Sequence, residues 1–189
     1  MSIGLWVRGA RPKTLVTSIA SVMVGAVMAY VHIERSGTCI AIYPEPASCA
    51  TAREQQTLLM DRFWPVTILC LLVALFLQIA VNYANDYSDG IRGTDAGRDM
   101  DESKSGKPQR LTASGLVPAK HVLFAAMICA AIACICGVVA VVLAQAWWLL
   151  AVGAASLLAG WFYTGGKHPY GYVGLGEVGV FLFFGLAAV

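Results

Sequence analysis

Apolar and polar positions alternate along this chain in long blocks. Residues 14–31 carry no charge, and neither do residues 63–83, 121–143 and 147–163. Each block is close to the length of about 20 residues that an α-helix needs to cross a bilayer. A fifth apolar run, 178–189, has twelve residues. As a helix it rises about 18 Å against a hydrocarbon core of roughly 30 Å, so it is either unfinished or not spanning. Polar stretches fill residues 32–62, 84–120 and 164–177, and 144–146 reads as a tight turn. The pattern predicts an all-α integral membrane protein, a multi-helix transmembrane bundle with about five apolar segments.

Local signals refine these elements. Pro12 suits a helix start, where its missing N–H is not needed. Ser18, Ser21, Gly25 and Ala29 recur three or four apart and predict a packed face on the first span. Trp64 and Pro65 mark the start of the second span. Trp147, Trp148, Trp161 and Tyr163 form an aromatic belt at each end of the fourth. Trp6 and Val7 predict a short stretch lying flat at the interface. Residues 51–60 suit a short surface helix within an otherwise irregular polar loop, 32–62.

Composition agrees with the pattern. Of the 189 residues, 58% are hydrophobic and 13% charged, where a soluble chain is nearer a quarter charged. No basic patch with interleaved aromatics is present, so nucleic acid is not an expected partner. The six cysteines do not form a zinc pattern. Four lie in apolar runs; Cys39 and Cys49 share the 32–62 loop and pair if it faces an oxidising compartment. Basic residues set the orientation. Arg8, Arg11 and Lys13 precede the first span, and the 84–120 loop carries Arg92, Arg98, Lys104, Lys107, Arg110 and Lys120. The positive-inside rule then puts the N-terminus, the 84–120 loop and the 164–177 loop on the cytoplasmic side of the cell membrane. The 32–62 loop falls on the other side.

The chemistry concentrates where the second span ends, in QIAVNYANDYSDGIRGTDAGR at residues 78–98. Asn82, Asp86 and Asp89 lie at i, i+4 and i+7, so a continuing helix puts them on one face. Asn85 and Asp89 form a second i, i+4 pair, and Asp95 follows. Capping a helix needs one such residue, and this stretch offers five. Bare carboxylates at a membrane boundary are costly to desolvate. Mg²⁺ removes that cost, because it takes oxygen ligands and often bridges carboxylates to substrate phosphates. Asp99, Asp101 and Glu102 read as a solvated face. Glu177, at the start of the last apolar run, suits a helix dipole as well as it suits a substrate contact.

Three stretches resemble a known family: RPKTL at 11–15, NYANDYSDGIRGTDAGR at 82–98 and YTGGKHPYGYVGLGEVGVFLFFG at 163–185. Together they resemble the UbiA superfamily of intramembrane prenyltransferases, in the branch that prenylates 1,4-dihydroxy-2-naphthoate for menaquinone synthesis. The resemblance covers most of the chain, apart from residues 32–62, and implies a single transmembrane domain. Family members typically have nine membrane helices around a central cavity. Two aspartate-rich motifs hold Mg²⁺ against the diphosphate of a polyprenyl donor, and its tail lies among membrane lipid. This chain corresponds to the first half, with the first motif only, so a C-terminal half is an implied partner.

Carried over residue by residue, Asn82, Asn85, Asp86 and Asp89 would be the metal-binding and catalytic residues, with Asp95 adding a carboxylate. Arg11, Lys13, Arg98 and Lys104 would meet phosphate oxygens, with Arg110 a weaker candidate. The acceptor, an aromatic diol acid, would place its carboxylate on Lys167 or His168 and its ring on Tyr163, Tyr170 or Tyr172. Three alternatives stand beside this reading: a partial, inactive fragment; transfer to another aromatic acceptor; and a small transporter with Gln78 and Asn82 along its path.

Overall fold

Every regular element among the described residues is a helix. The computed structural model describes residues 3–36, 46–93, 110–164 and 176–180. The helices are α1 (Ile3–Gly9), α2 (Pro12–Ser36), α3 (Pro46–Arg92), α4 (Ala119–Ala144), α5 (Trp148–Thr164) and α6 (Gly176–Val180). The helices α2, α3 and α4 are long and apolar enough to cross a membrane, and α5 is a shorter apolar helix. The all-α expectation holds.

The boundaries differ from the hydropathy pattern in an instructive way. Pro12 opens α2 as predicted. Pro65, however, lies inside α3 rather than at its start, because α3 begins at Pro46 and runs for 47 residues. Residues 46–62 are rich in Ala, Arg, Glu, Gln, Leu and Met, all good helix formers, and nothing among them breaks the helix. The polar stretch between the first two spans is therefore mostly helical. At its other end α3 also outruns the apolar block and continues to Arg92. Gly93, in the left-handed region at φ 71°, stops it there, with its N–H donated to the Gly90 carbonyl at 3.4 Å. A helix of 47 residues is about 70 Å long, more than twice a hydrocarbon core of about 30 Å. Both polar ends of α3 must then stand in water or against protein.

The chain divides into two units, and α3 and α4 contribute to both. One unit comprises Lys13–Gln78 and Ala130–Gln145. In it the Tyr30 ring meets Phe63 edge-on at 5.5 Å, and Phe63 meets Trp64 at 5.1 Å. Gln56 donates from Nε2 to the Glu34 carbonyl at 3.1 Å. Arg62 donates to the Leu143 carbonyl at 3.2 Å, supplying a partner that the end of α4 lacks. Gln145 then turns the chain at φ 57°, as the tight-turn reading required. Cys49 is disulfide-bonded; Cys39, the partner named from the sequence, lies outside the described residues. The small-residue face of α2 does not pack among the described residues. No residue of α2 is buried, and a Cβ added at Gly25 would meet nothing within 4 Å.

The other unit comprises Met1–Pro12, Ile79–Cys129 and Ala146–Val189. Its core is Ala10, Tyr83, Leu111, Val117, Val122 and Ala126, with Leu5, Trp6 and Tyr87 packed on it. Trp6 thus faces protein, while Val7, the next residue in the helix, is exposed. Leu111 and Val122 are completely buried. This core sits under the polar end of α3 and holds the candidate site in place.

Candidate active site

The site builds upward from the last turns of α3. The helix does not break before Arg92, so Asn82, Asp86 and Asp89 keep the spacing of one face. Their surroundings differ. Asn82 and Asp86 are only 4% and 2% exposed, and Ser88 is buried too. Asn85 and Asp89 are half-buried.

Asn82 and Tyr83 tie α1 to α3. Ala10 lies just past α1, where a carbonyl lacks an in-helix partner. Asn82 donates to it from Nδ2 at 2.8 Å. One turn earlier in α1, the Trp6 carbonyl accepts the Tyr83 hydroxyl at 2.9 Å. The Trp6 and Tyr83 rings also meet edge-on at 5.6 Å, a favourable aromatic geometry. Arg11 follows directly, half-buried and at φ 54°. A non-glycine residue there costs about 1–2 kcal/mol, and the anchored Ala10 helps hold it. Arg11 is thereby fixed at the mouth of α2, while Lys13 beyond it is exposed.

Asp86 ties a second segment to α3. Its Oδ2 accepts the Leu111 N–H and its Oδ1 accepts the Thr112 N–H, each at 2.9 Å. Charge-assisted bonds of this kind are about twice as strong as neutral ones. The bound segment is itself closed: Gly115 donates its N–H to the Thr112 carbonyl at 3.1 Å and Val117 to the Leu111 carbonyl at 3.3 Å. The Ser114 hydroxyl donates to the Arg110 carbonyl. Gly115 adopts φ 70°, which suits glycine in such a turn. Arg110, half-buried, opens this segment.

Asp95, Arg98, Lys104, Lys167, His168, Tyr170 and Tyr172 lie outside the described residues. Tyr163 is exposed near the end of α5. Glu177 is exposed in the first turn of α6. The sequence reading missed Tyr83, Leu111, Thr112 and Ala10 as parts of the site. Leu111 and Thr112 act through backbone N–H groups, which no side-chain pattern announces. Tyr83 carried a usable signal, a phenol at the polar end of a span.

A UbiA prenyltransferase family model matches residues 57–189, well over half of the chain. The chain belongs to the UbiA prenyltransferase family. It is 42% identical over its whole length to a protein of Mycobacterium tuberculosis named 1,4-dihydroxy-2-naphthoate octaprenyltransferase, covering 52% of that protein. It is 39% identical to the protein of the same name from Mycobacterium leprae, again covering 52%. Over 97% of its length it is 30% identical to the protein so named from Escherichia coli, covering 51%. The chain thus spans about half the length of the curated relatives it matches. No solved structure matches. With its apolar helices, this UbiA chain is a multi-pass membrane protein.

The donors at the end of α3 suit a hard divalent cation by chemistry, since all are oxygen donors. Among the described residues no three His, Cys, Asp or Glu side chains group together as a metal cluster. Mg²⁺ does not need such a cluster, because one or two carboxylates with substrate phosphates suffice. Asp89 and Asn85 are the half-buried pair that can meet it.

Replacing Asn82 with Leu keeps the branched outline of the side chain and removes the donor to Ala10. The loss is expected to cost about 1–3 kcal/mol. Amide exchange over residues 3–12 should speed up, with residues 119–129 unchanged.

Proposed function

We propose that this chain forms the diphosphate-binding half of an enzyme that moves a polyprenyl group from polyprenyl diphosphate to 1,4-dihydroxy-2-naphthoate, giving demethylmenaquinone in its reduced, quinol form. The observation that carries the reading is the likeness, over the whole chain, to relatives named for that acceptor. The polar end of α3 supports it, because a helix that leaves the membrane on a row of Asn and Asp supplies what a metal–diphosphate head needs. The half of the relatives' length beyond the match would supply the rest of the cavity.

In this reading the donor's allylic C–O bond breaks, its electron pair leaving with diphosphate. The ring carbon of the naphthoate then attacks the allylic cation, and the carboxylate leaves as CO₂. Mg²⁺, when bound, neutralises charge that builds on the leaving diphosphate. Asn85 and Asp89, with Asp95, hold that ion. Arg11 and Arg98, with Lys13 and Lys104, neutralise the remaining phosphate oxygens. Lys167 or His168 meets the acceptor carboxylate, and Tyr163, Tyr170 or Tyr172 stacks on its ring. The apolar faces of the spanning helices keep water from the cation. Donor and acceptor enter from one side, which brings the reacting carbons within contact distance.

That side is the cytoplasm. Basic residues at the start of α2 and in the 84–120 loop favour it by the positive-inside rule. The disulfide at Cys49 fits an opposite, oxidising side for residues 32–62.

Membranes carrying the chain, given labelled polyprenyl diphosphate, 1,4-dihydroxy-2-naphthoate and Mg²⁺, are expected to yield the labelled quinol of demethylmenaquinone, which air oxidises to the quinone. Chelation should stop the reaction, and Asp89→Ala should slow it about a hundredfold or more. No product from the wild-type chain would assign it to the partial-fragment reading.

A separate measurement checks the topology. In intact cells a membrane-impermeant maleimide should label Glu45→Cys and spare both Lys104→Cys and Lys167→Cys. Labelling that splits Lys104→Cys from Lys167→Cys would place the two loops on opposite sides and end the one-mouth scheme.

A further inference from the structure

The aspartates of this motif do not share one job. We propose that Asp86 is a positioning residue that clamps residues 110–117 to α3, and that the ligand-facing carboxylate on this helix is Asp89.

The clamp rests on three observations. Both Asp86 oxygens already accept backbone N–H groups, from Leu111 and Thr112, each at 2.9 Å. A carboxylate has lone pairs beyond these two, but at 2% exposure Asp86 has no open side from which a phosphate or hydrated ion reaches them. The turn is also held tightly on either flank. A Cβ at Gly90 would fall 2.5 Å from Thr112 Cγ2 and 2.6 Å from its Cβ, and one at Gly9 would fall 2.5 Å from Leu111 Cδ1. Glycine at these two positions lets the turn sit against α1 and α3 closely enough for Asp86 to reach it.

The consequence concerns Arg110, the half-buried cation that opens the clamped turn. Asp86 therefore acts on ligand binding through the placement of Arg110. Asn82 does the same for Arg11 through Ala10. Only the metal comparison below rests on the proposed function; the clamp stands on geometry.

The test compares Asp86→Asn, Asp89→Asn and Gly90→Ala in the full chain in nanodiscs. Two quantities are read: amide exchange of residues 110–117, and retention of labelled inorganic pyrophosphate as Mg²⁺ is titrated. Asp86→Asn turns one acceptor into a donor facing an N–H, so exchange at Leu111 and Thr112 should rise about tenfold or more. Its pyrophosphate retention should fall at saturating Mg²⁺, with the Mg²⁺ midpoint within about twofold of wild type. Gly90→Ala touches no carboxylate and pushes on Thr112, so it should reproduce both effects, which keeps the test decisive should Asp86→Asn fail to fold. Asp89→Asn should leave exchange unchanged and raise the Mg²⁺ midpoint about tenfold. Asp86→Asn raising the midpoint as far as Asp89→Asn does, with the turn amides unchanged, would overturn the clamp, as would Gly90→Ala leaving both readouts at wild-type values. If no variant and no Mg²⁺ concentration alters pyrophosphate retention while exchange rises as stated, the proposed function fails and the clamp stands.

Discussion

A buried carboxylate at a membrane boundary is tolerable only if its charge is met, and at the end of α3 two backbone N–H groups meet it. Leaving such a group without partners would cost several kcal/mol. The requirement therefore runs both ways: Asp86 needs the Leu111–Thr112 segment, and that segment needs Asp86 to be held at a helix end. From this one pairing follow the burial of Leu111, the closed turn up to Val117, and the start of α4 just beyond it. Asn82 and Tyr83 do the same for α1 on the neighbouring side. A single helix end thus organises two separate stretches of chain.

The arrangement also explains why α3 is so long. Its middle is apolar enough to cross the bilayer, yet it carries polar residues at both ends. A helix that stopped at the edge of the hydrocarbon would present its Asn and Asp side chains on a loop, with little to fix them. A helix that continues holds them in register and lets neighbouring segments bond to them. Rigid elements support more exact site geometry than loops do. In a UbiA chain this gives the membrane surface a platform of fixed oxygen donors, two turned toward the protein and two left half-buried.

Much of this was legible in the residues. The uncharged blocks announced α2 and α4, Pro12 announced a helix start, and the i, i+4, i+7 spacing placed Asn82, Asp86 and Asp89 on one face. Three features were not legible, for physical reasons. Residues 46–62 look like a loop by hydropathy, but their helix propensity wins where no breaker intervenes. Pro65 marks helix starts as a rule, yet a long helix can absorb one lost hydrogen bond. The inward role of Asp86 depends on a segment 25 residues further along the chain, bound through its backbone, and no periodicity encodes such a contact. Resemblance supplied the family, and the deeper burial of Asp86 on two backbone N–H groups then set it apart from Asp89.

The most direct test is an experimental structure of the chain with Mg²⁺ and a prenyl diphosphate analogue. The account predicts an Asp89 carboxylate oxygen at about 2.1 Å from the metal, with Asp86 still accepting from Leu111 and Thr112. Asp86 swung off those N–H groups and onto the metal would contradict it.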